Sequence, residues 1–516
     1  MSPQRFSLLA ALLSLFYGAL FIQTCAHEIR TSDSRSSMGF VEGNGMAGNA
    51  ATKGHVPLDV DGYPVGPAGL ELQQVHIYVR HGERTPVGVR MAGPPANIPE
   101  DWMFCNTARQ FRAAVASVGS EDGTAAFPPV PADPITEELR IHRVVERADG
   151  TAVVGQCLLG ELTDTGREST YNLGSGLRKL YIDRLKFLPD VVRSNDEIYL
   201  RSTNLPRTIE SLQQIIHGLY PMSKSASNFV PHLRIRNGKD ENLFGNTMAC
   251  KRLEILQVGF AQAAAAAWNT TLEPLDKKLS KYIGGNPIRL DGKPRASGIL
   301  DTIRAADAHG VKVPPEFKEE GVLEKIEQAV VAEWFAGYRT EEVRRLGMGP
   351  LLRDLTQKMR AKAEKGEADP TKILIHSTHD TCLAGLSSTL EIFDEKWPAF
   401  TAAVTFELFK KQQQAAPPTS VWQNIFSLFP SAQATSEHYV RVRYQNQNKP
   451  LPFCVEEGKH LPGHPEFCTF AAFRERVKQL TPADWEAECA YSSGNKQKDR
   501  EEAQAAASLT IPRPKP

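Results

Sequence analysis

Residues 75–86 read Val75-His76-Ile77-Tyr78-Val79-Arg80-His81-Gly82-Glu83-Arg84-Thr85-Pro86. The first five are a short apolar run of β-branched and aromatic residues, the pattern of a buried strand. Arg80 ends the run, and Gly82 and Pro86 break the next residues into a loop. One imidazole stands in that loop between two guanidinium groups. An imidazole nitrogen accepts a phosphoryl group, and guanidinium forks take phosphate oxygens in pairs. The stretch therefore points to covalent phosphohistidine chemistry.

Two further strands end on polar groups. Glu197-Ile198-Tyr199-Leu200 ends at Arg201, and Ser202-Thr203-Asn204, Pro206 and Arg207 lead into an apolar-periodic helix through Leu219. Lys372-Ile373-Leu374-Ile375 ends at His376-Ser377-Thr378-His379-Asp380. A helix is predicted from Thr163, a good N-cap, to about Arg184, with Leu173, Leu177 and Leu180 at helical spacing. Another precedes the third strand at Leu351–Glu364, and Val404–Phe409 and Tyr439–Tyr444 read as paired strands. Strands alternating with helices predict an α/β fold, a mostly parallel sheet with helices on both faces. Residues 232–345, including Val322–Tyr338, read as mostly helical and carry no chemical motif, which makes them a helical cap. His76 and His376 lie within strands and His217 within a helix, so all three read as core or supporting residues.

In open α/β sheets ligands sit beyond the carboxyl ends of strands. Convergence of these three ends would make one site. His81 would attack phosphorus as neutral imidazole, kept unprotonated by neighbouring guanidinium charge. Arg80, Arg84 and Arg201 would hold the phosphate oxygens, with His379 as a further donor. Asp380 would protonate the leaving alkoxide and then activate water. A carboxylic acid in that role predicts an acidic optimum. The mechanism calls for no metal and no cofactor. The substrate class is a small phosphate monoester. Two other readings are a phosphate-binding pseudoenzyme and a phosphomutase.

Lys plus Arg and Asp plus Glu both number 60, so the formal net charge is zero and no nucleic-acid partner is expected. Arg5, the apolar run Phe6–Ile22 and Thr24-Cys25-Ala26 have the layout of a signal peptide cut after Ala26. A retained membrane anchor is the alternative; a mitochondrial presequence would be Arg-rich and amphipathic. The expected location is the secretory pathway or the outside of the cell. Eight cysteines fit disulfides there, with Cys454–Cys468 the most plausible local bridge. Residues 27–70 read as a flexible leader, 92–135 as a loop-rich excursion and 491–516 as a disordered tail. The insertion Lys411–Glu437 has an apolar stretch, Val421–Phe429, that suits packing on the sheet edge or peripheral membrane contact.

The pattern Arg80-His81-Gly82-x-Arg84-x-Pro86, with His379-Asp380, resembles the signature of the histidine acid phosphatase family, within the phosphoglycerate-mutase-like superfamily. The resemblance covers most of residues 71–490 and implies His81 as nucleophile, Asp380 as proton donor, and Arg80, Arg84, Arg201 and His379 as phosphate ligands. It is closest to the lysophosphatidic acid phosphatase type 6 branch. Gly160–Gly166, Leu200–Asn204 with Arg207 and Glu210-Ser211, and Ile392–Phe400 are similar to segments of that branch. This implies lysophosphatidate as a substrate. Ala399, the insertion and the secretory-type N-terminus depart from the branch, which is linked to mitochondria.

Overall fold

Every residue from Gln73 to Arg80 is buried in an eleven-residue strand, β1 (Leu70–Arg80). In the computed structural model the described residues are 56–106, 110–112, 140–226, 229–412 and 437–490, with single positions 501, 505 and 511. The signal or anchor segment, the leader to residue 55, the stretch Val421–Phe429 and nearly all of the tail lie outside them.

β1 is central in a nine-stranded sheet. On one flank run β4 (Ile373–Thr378), β2 (Ile198–Ser202) and β3 (Leu233–Arg234), all parallel to β1. On the other flank β5 (Ala403–Lys411), β6 (His438–Tyr444) and β9 (His464–Thr469) follow, each antiparallel to the strand before it. The short strands β7 (Gln447–Asn448) and β8 (His460–Leu461) complete it. The parallel part carries the polar strand ends. Arg80 lies opposite Thr378, and Ser202 opposite Ser377, so the carboxyl ends of β1, β4 and β2 stand side by side.

Strand alternation divides the core in two. Val75, Ile77, Val79, Ile198, Leu200, Ile373 and Ile375 pack with Leu177, Leu212 and Ile215 of α1 (Asp164–Leu177) and α2 (Pro206–Leu219). Tyr78, with Val404, Phe406 and Leu408 of β5 and Val440, Val442 and Tyr444 of β6, faces the other side. There they meet α3 (Lys251–Leu279), α4 (Ala296–Ala308), α5 (Val322–Phe335), α6 (Glu341–Gly347), α7 (Gly349–Lys365), α8 (Asp380–Thr389) and α9 (Phe470–Leu480). The helices thus cover both faces. Thr163 caps α1 by accepting from the Gly166 amide at 3.2 Å, and a π-helical turn carries it on to Arg184. His76 and His376 are buried, and His376 stacks on Tyr78 at 4.4 Å. His217 departs from its expected place in the interior: it is exposed on α2, edge-on to Tyr171.

Among the described residues three disulfides join Cys105 to Cys157, Cys250 to Cys489 and Cys454 to Cys468, while Cys382 is buried and outside any disulfide. The last is the local bridge expected from spacing. Such bonds are compatible with an oxidising, secreted or lumenal setting. No described helix is long and apolar enough to cross a membrane.

The leader expected up to residue 70 is not loose where it is described. Tyr63 is buried, and its hydroxyl donates to Glu407 Oε1 at 2.7 Å. Arg441 binds Glu407 Oε2 at 2.7 Å, the Tyr63 hydroxyl at 2.6 Å and the Pro64 carbonyl at 2.6 Å. Tyr181 adds a third contact to Glu407 at 3.0 Å. A buried ion pair therefore pins the segment before β1 onto β5 and β6. Arg441→Met would leave a buried carboxylate without its cation, at a cost of about 3–5 kcal/mol. Urea unfolding measures this, and a loss below about 1 kcal/mol would show that the clamp is not needed.

Candidate active site

The loop after β1 is fixed from three sides. The His81 amide donates to the Thr378 carbonyl at 3.0 Å, the Arg80 amide to the Ala402 carbonyl at 2.9 Å, and the Thr401 amide to the His81 carbonyl at 3.2 Å. Gly82 donates to Ser211 Oγ of α2 at 3.1 Å. A Cβ on Gly82 would lie 2.3 Å from the Gly166 carbonyl oxygen, and one on Gly166 would lie 2.1 Å from the Glu83 carbonyl oxygen. Two glycines thus let the loop and the first turn of α1 interlock at backbone contact.

His81 is buried. Its Nδ1 lies 2.8 Å from the Gly82 carbonyl, which only accepts, so Nδ1 carries the proton and Nε2 has a free lone pair. Burial, then the charges of Arg207, Arg80 and Arg84, hold its pKa well below the usual histidine range. The ring is therefore neutral in acid.

Arg80 donates to the Pro398 carbonyl at 2.6 Å, pairs with Asp380 Oδ2 at 2.7 Å and lies 4.1 Å over the Phe400 ring. Arg84 pairs with Asp301 of α4 at 2.9 Å and donates to the Thr85 carbonyl at 3.0 Å. Arg207, in the first turn of α2, makes no ion pair among the described residues. Burial and the neighbouring Arg84 lower its pKa to about 10. The Nε–H groups of Arg80, Arg84 and Arg207 are all buried without an acceptor among the described residues. Unsatisfied donors of this kind are costly, and an anion would satisfy them.

His379 precedes α8, its ring 5.6 Å from that of His81 and edge-on. Its Nε2 is 3.0 Å from Thr203 Oγ1, itself 2.8 Å from Thr208 Oγ1. Burial and Arg207 lower its pKa to about 3. Asp380 opens α8. Burial raises its pKa, but Arg80, Arg84, His379 and a 3.0 Å hydrogen bond from Trp397 Nε1 together hold it below the usual carboxylate range.

The structure brings Arg80, His81, Arg84, His379 and Asp380 together; it does not bring Arg201. Leu200 packs toward α1 and α2, so its neighbour Arg201 enters the opposite face. There its guanidinium pairs with Glu241 and lies 3.8 Å from Asp354. The cation that acts on His81 and His379 is Arg207 instead. Arg201 looked right in sequence because it ends a strand. Arg207 lies in the first turn of α2, and its approach to His81 depends on tertiary packing. Asp301 carries no motif of its own, and Ile392–Phe400 is a recognisable segment whose contacts with Arg80 and Asp380 are not visible in the sequence.

No group of three or more described His, Cys, Asp or Glu residues could hold a metal ion. The arrangement offers a neutral, buried nucleophile, three guanidinium groups with free donors, and a carboxyl beside them. That set suits a tetrahedral oxyanion.

The sequence profile of the histidine phosphatase superfamily (branch 2) matches residues 71–445. A relative in Schizosaccharomyces pombe, named a probable acid phosphatase, is 33% identical over 448 residues, covering 82% of this chain and 95% of its own. Human lysophosphatidic acid phosphatase type 6 is 26% identical, covering 67% of this chain and 76% of its own. The solved phytase of Hafnia alvei, in its apo form, is 15% identical at a TM-score of 0.48, covering 83% of this chain and all of its own. The profile spans most of the described core, strand ends included, and on that ground this chain belongs to the histidine phosphatase superfamily, branch 2, as an acid phosphatase.

Proposed function

We propose that the chain hydrolyses phosphate monoesters through a phosphohistidine at His81, with Arg80, Arg84 and Arg207 as the oxygen ligands. The observation that carries this is the set of three buried, acceptor-less guanidinium Nε–H groups around a neutral imidazole. His81 Nε2 forms the N–P bond as the P–O ester bond breaks. The leaving alkoxide takes a proton from Asp380, with His379 donating to a phosphate oxygen. Asp380, now carboxylate, takes a proton from water; the resulting hydroxide forms the new P–O bond, and the N–P electron pair returns to Nε2.

Asp380 begins as a carboxylate paired with Arg80. Its depressed pKa means that the free enzyme does not hold the catalytic proton in mild acid. A phosphate monoester loses its second proton near pH 6, so below that it arrives carrying one. When phosphate takes Arg80, the carboxyl loses its cation and can accept that proton. The value of kcat/KM then falls above about pH 6 because the free substrate has lost its proton.

His81→Ala should abolish turnover while leaving the unfolding midpoint unchanged. Quenching the wild-type reaction should trap an acid-labile, base-stable phosphoryl–protein adduct. Turnover without that adduct would refute the nucleophile. Its absence without turnover would leave the pseudoenzyme reading. Exclusive transfer back to an organic acceptor would indicate a mutase.

Arg207→Ala should weaken inorganic phosphate binding by about tenfold or more, since a charge-assisted bidentate contact is lost. Arg201→Met should leave phosphate affinity within about twofold, because Arg201 is engaged by carboxylates rather than by the site. The reverse ranking would restore Arg201 as the third ligand.

For the substrate, an amphiphilic monoester of the lysophosphatidate type is favoured by an apolar rim. Val87, Val89, Leu158 and Leu159 are each about half exposed. The Leu158-Leu159 turn is held rigid beside the site. Thr85 Oγ1 donates to the Leu158 carbonyl at 2.7 Å, the Leu158 amide to Glu161 at 2.7 Å and the Gly160 amide to the Pro86 carbonyl at 3.0 Å. The Cys105–Cys157 bond anchors the preceding residue. A Cβ at Gly160 would lie 3.5 Å from Val87 and 3.8 Å from Arg207 Nη1, so the rim adjoins the proposed phosphate ligand. The relatives named lysophosphatidic acid phosphatase fit this reading. The disulfides and the signal-like N-terminus support a place in the secretory pathway. The value of kcat/KM should rise with alkyl chain length, and Leu158→Ser with Leu159→Ser should flatten that rise while sparing p-nitrophenyl phosphate. A flat wild-type series would remove the amphiphilic substrate.

A further inference from the structure

We infer that Trp397 is a positioning residue that holds Asp380 for proton delivery while Arg80 changes partner from carboxylate to phosphate. The inference rests on the phosphohistidine reading above. Asp380 Oδ2 is shared by two donors, Arg80 Nη2 at 2.7 Å and Trp397 Nε1 at 3.0 Å, while Oδ1 accepts from the Thr381 amide at 2.8 Å. Of the two side-chain donors on Oδ2, only Arg80 is needed by the incoming phosphate. When it leaves, the carboxyl keeps the indole and its own helix amide.

The indole is suited to that duty. It is an uncharged donor that cannot titrate, so it fixes the carboxyl without keeping it permanently ionised. Its ring lies 5.1 Å from Phe335 and 5.8 Å from Trp334, both on α5. Its amide donates to Glu327 of α5 at 2.6 Å, and its carbonyl accepts from Arg304 of α4 at 3.3 Å. Arg304 and Glu327 close the frame with a 2.7 Å ion pair. The helical block thus reaches into the site through one nitrogen.

The charged and titratable groups around Asp380 are Arg80 and Arg84 from the loop after β1, His379 beside it and Arg207 from α2. One step further out, Asp301 and Arg304 of α4 act on Arg80, and Arg80 and Glu327 of α5 act on Tyr444 of β6. Of these, Arg80 alone is both bonded to the carboxyl and required by phosphate. The exchange therefore has one moving part and one fixed one.

Trp397→Phe keeps an aromatic ring and removes the donor. With a hexyl phosphate, whose alkoxide needs a proton, kcat should fall about tenfold or more. With p-nitrophenyl phosphate, a good leaving group, kcat should stay within about threefold. KM should change little for either, because the arginines are untouched. The alkaline limb of kcat, which reports the enzyme–substrate complex, should move up by about half to one unit, because the lost donor stabilised the carboxylate. Equal losses on both substrates, or an unmoved limb, would overturn the positioning role. If Trp397→Phe does not fold, benzothienylalanine at the same position removes the N–H with the ring shape kept, and the same outcomes apply. Asp380→Asn separates the two levels. If it shows no leaving-group dependence, proton delivery by Asp380 is wrong and this inference falls with it. If it shows that dependence and the Trp397 variants do not, only the inference fails.

Discussion

An imidazole can act as a nucleophile in acid only if something stops it from taking a proton first. Here that constraint is met by burial and by three guanidinium groups that make a second positive charge costly. The rest of the site depends on it. The arginines that keep His81 neutral are the ones proposed to receive the phosphate, so on that reading a single charge cluster serves both ground state and ligand. Two carboxylates, Asp380 and Asp301, temper that cluster without cancelling it. Arg207, which has no such partner among the described residues, leaves the positive excess where the oxyanion would lie.

The cluster is held by backbone more than by side chains. β1, β4 and β2 end in register, so three polar ends meet without any long loop having to find its place. The stretch Trp397–Ala402 then passes beneath them. It offers the Pro398 carbonyl to Arg80, the Phe400 ring to Arg80 and Arg84, and the Thr401 amide to the His81 carbonyl. In this way a segment without a titratable group sets the geometry of two guanidinium groups and the neutral imidazole between them.

What could be read from sequence was whatever is local. The apolar run before Arg80, the Thr163 cap and the strand before His379 each announce themselves within a dozen residues, and each is where it was expected. Arg201 and Arg207 show the limit. Both lie near a strand end; the alternation of β2 between two cores turns Arg201 away from the site, while the packing of α2 brings Arg207 to it. Tyr63 is a second case: it sits in a Gly- and Pro-rich stretch that reads as linker, yet Glu407 and Arg441, more than three hundred residues on, bury it. Trp397 carries a recognisable motif but no hint of its partner, since its bond to Asp380 exists only once α4 and α5 have docked.

The Gly82–Gly166 contact has a mechanical meaning. Where two backbones touch with no side chain between them, there is nothing soft to absorb displacement. The first turn of α1 and the loop can therefore only shift together, and a methyl group at either glycine would push Gly82, and with it His81, out of place.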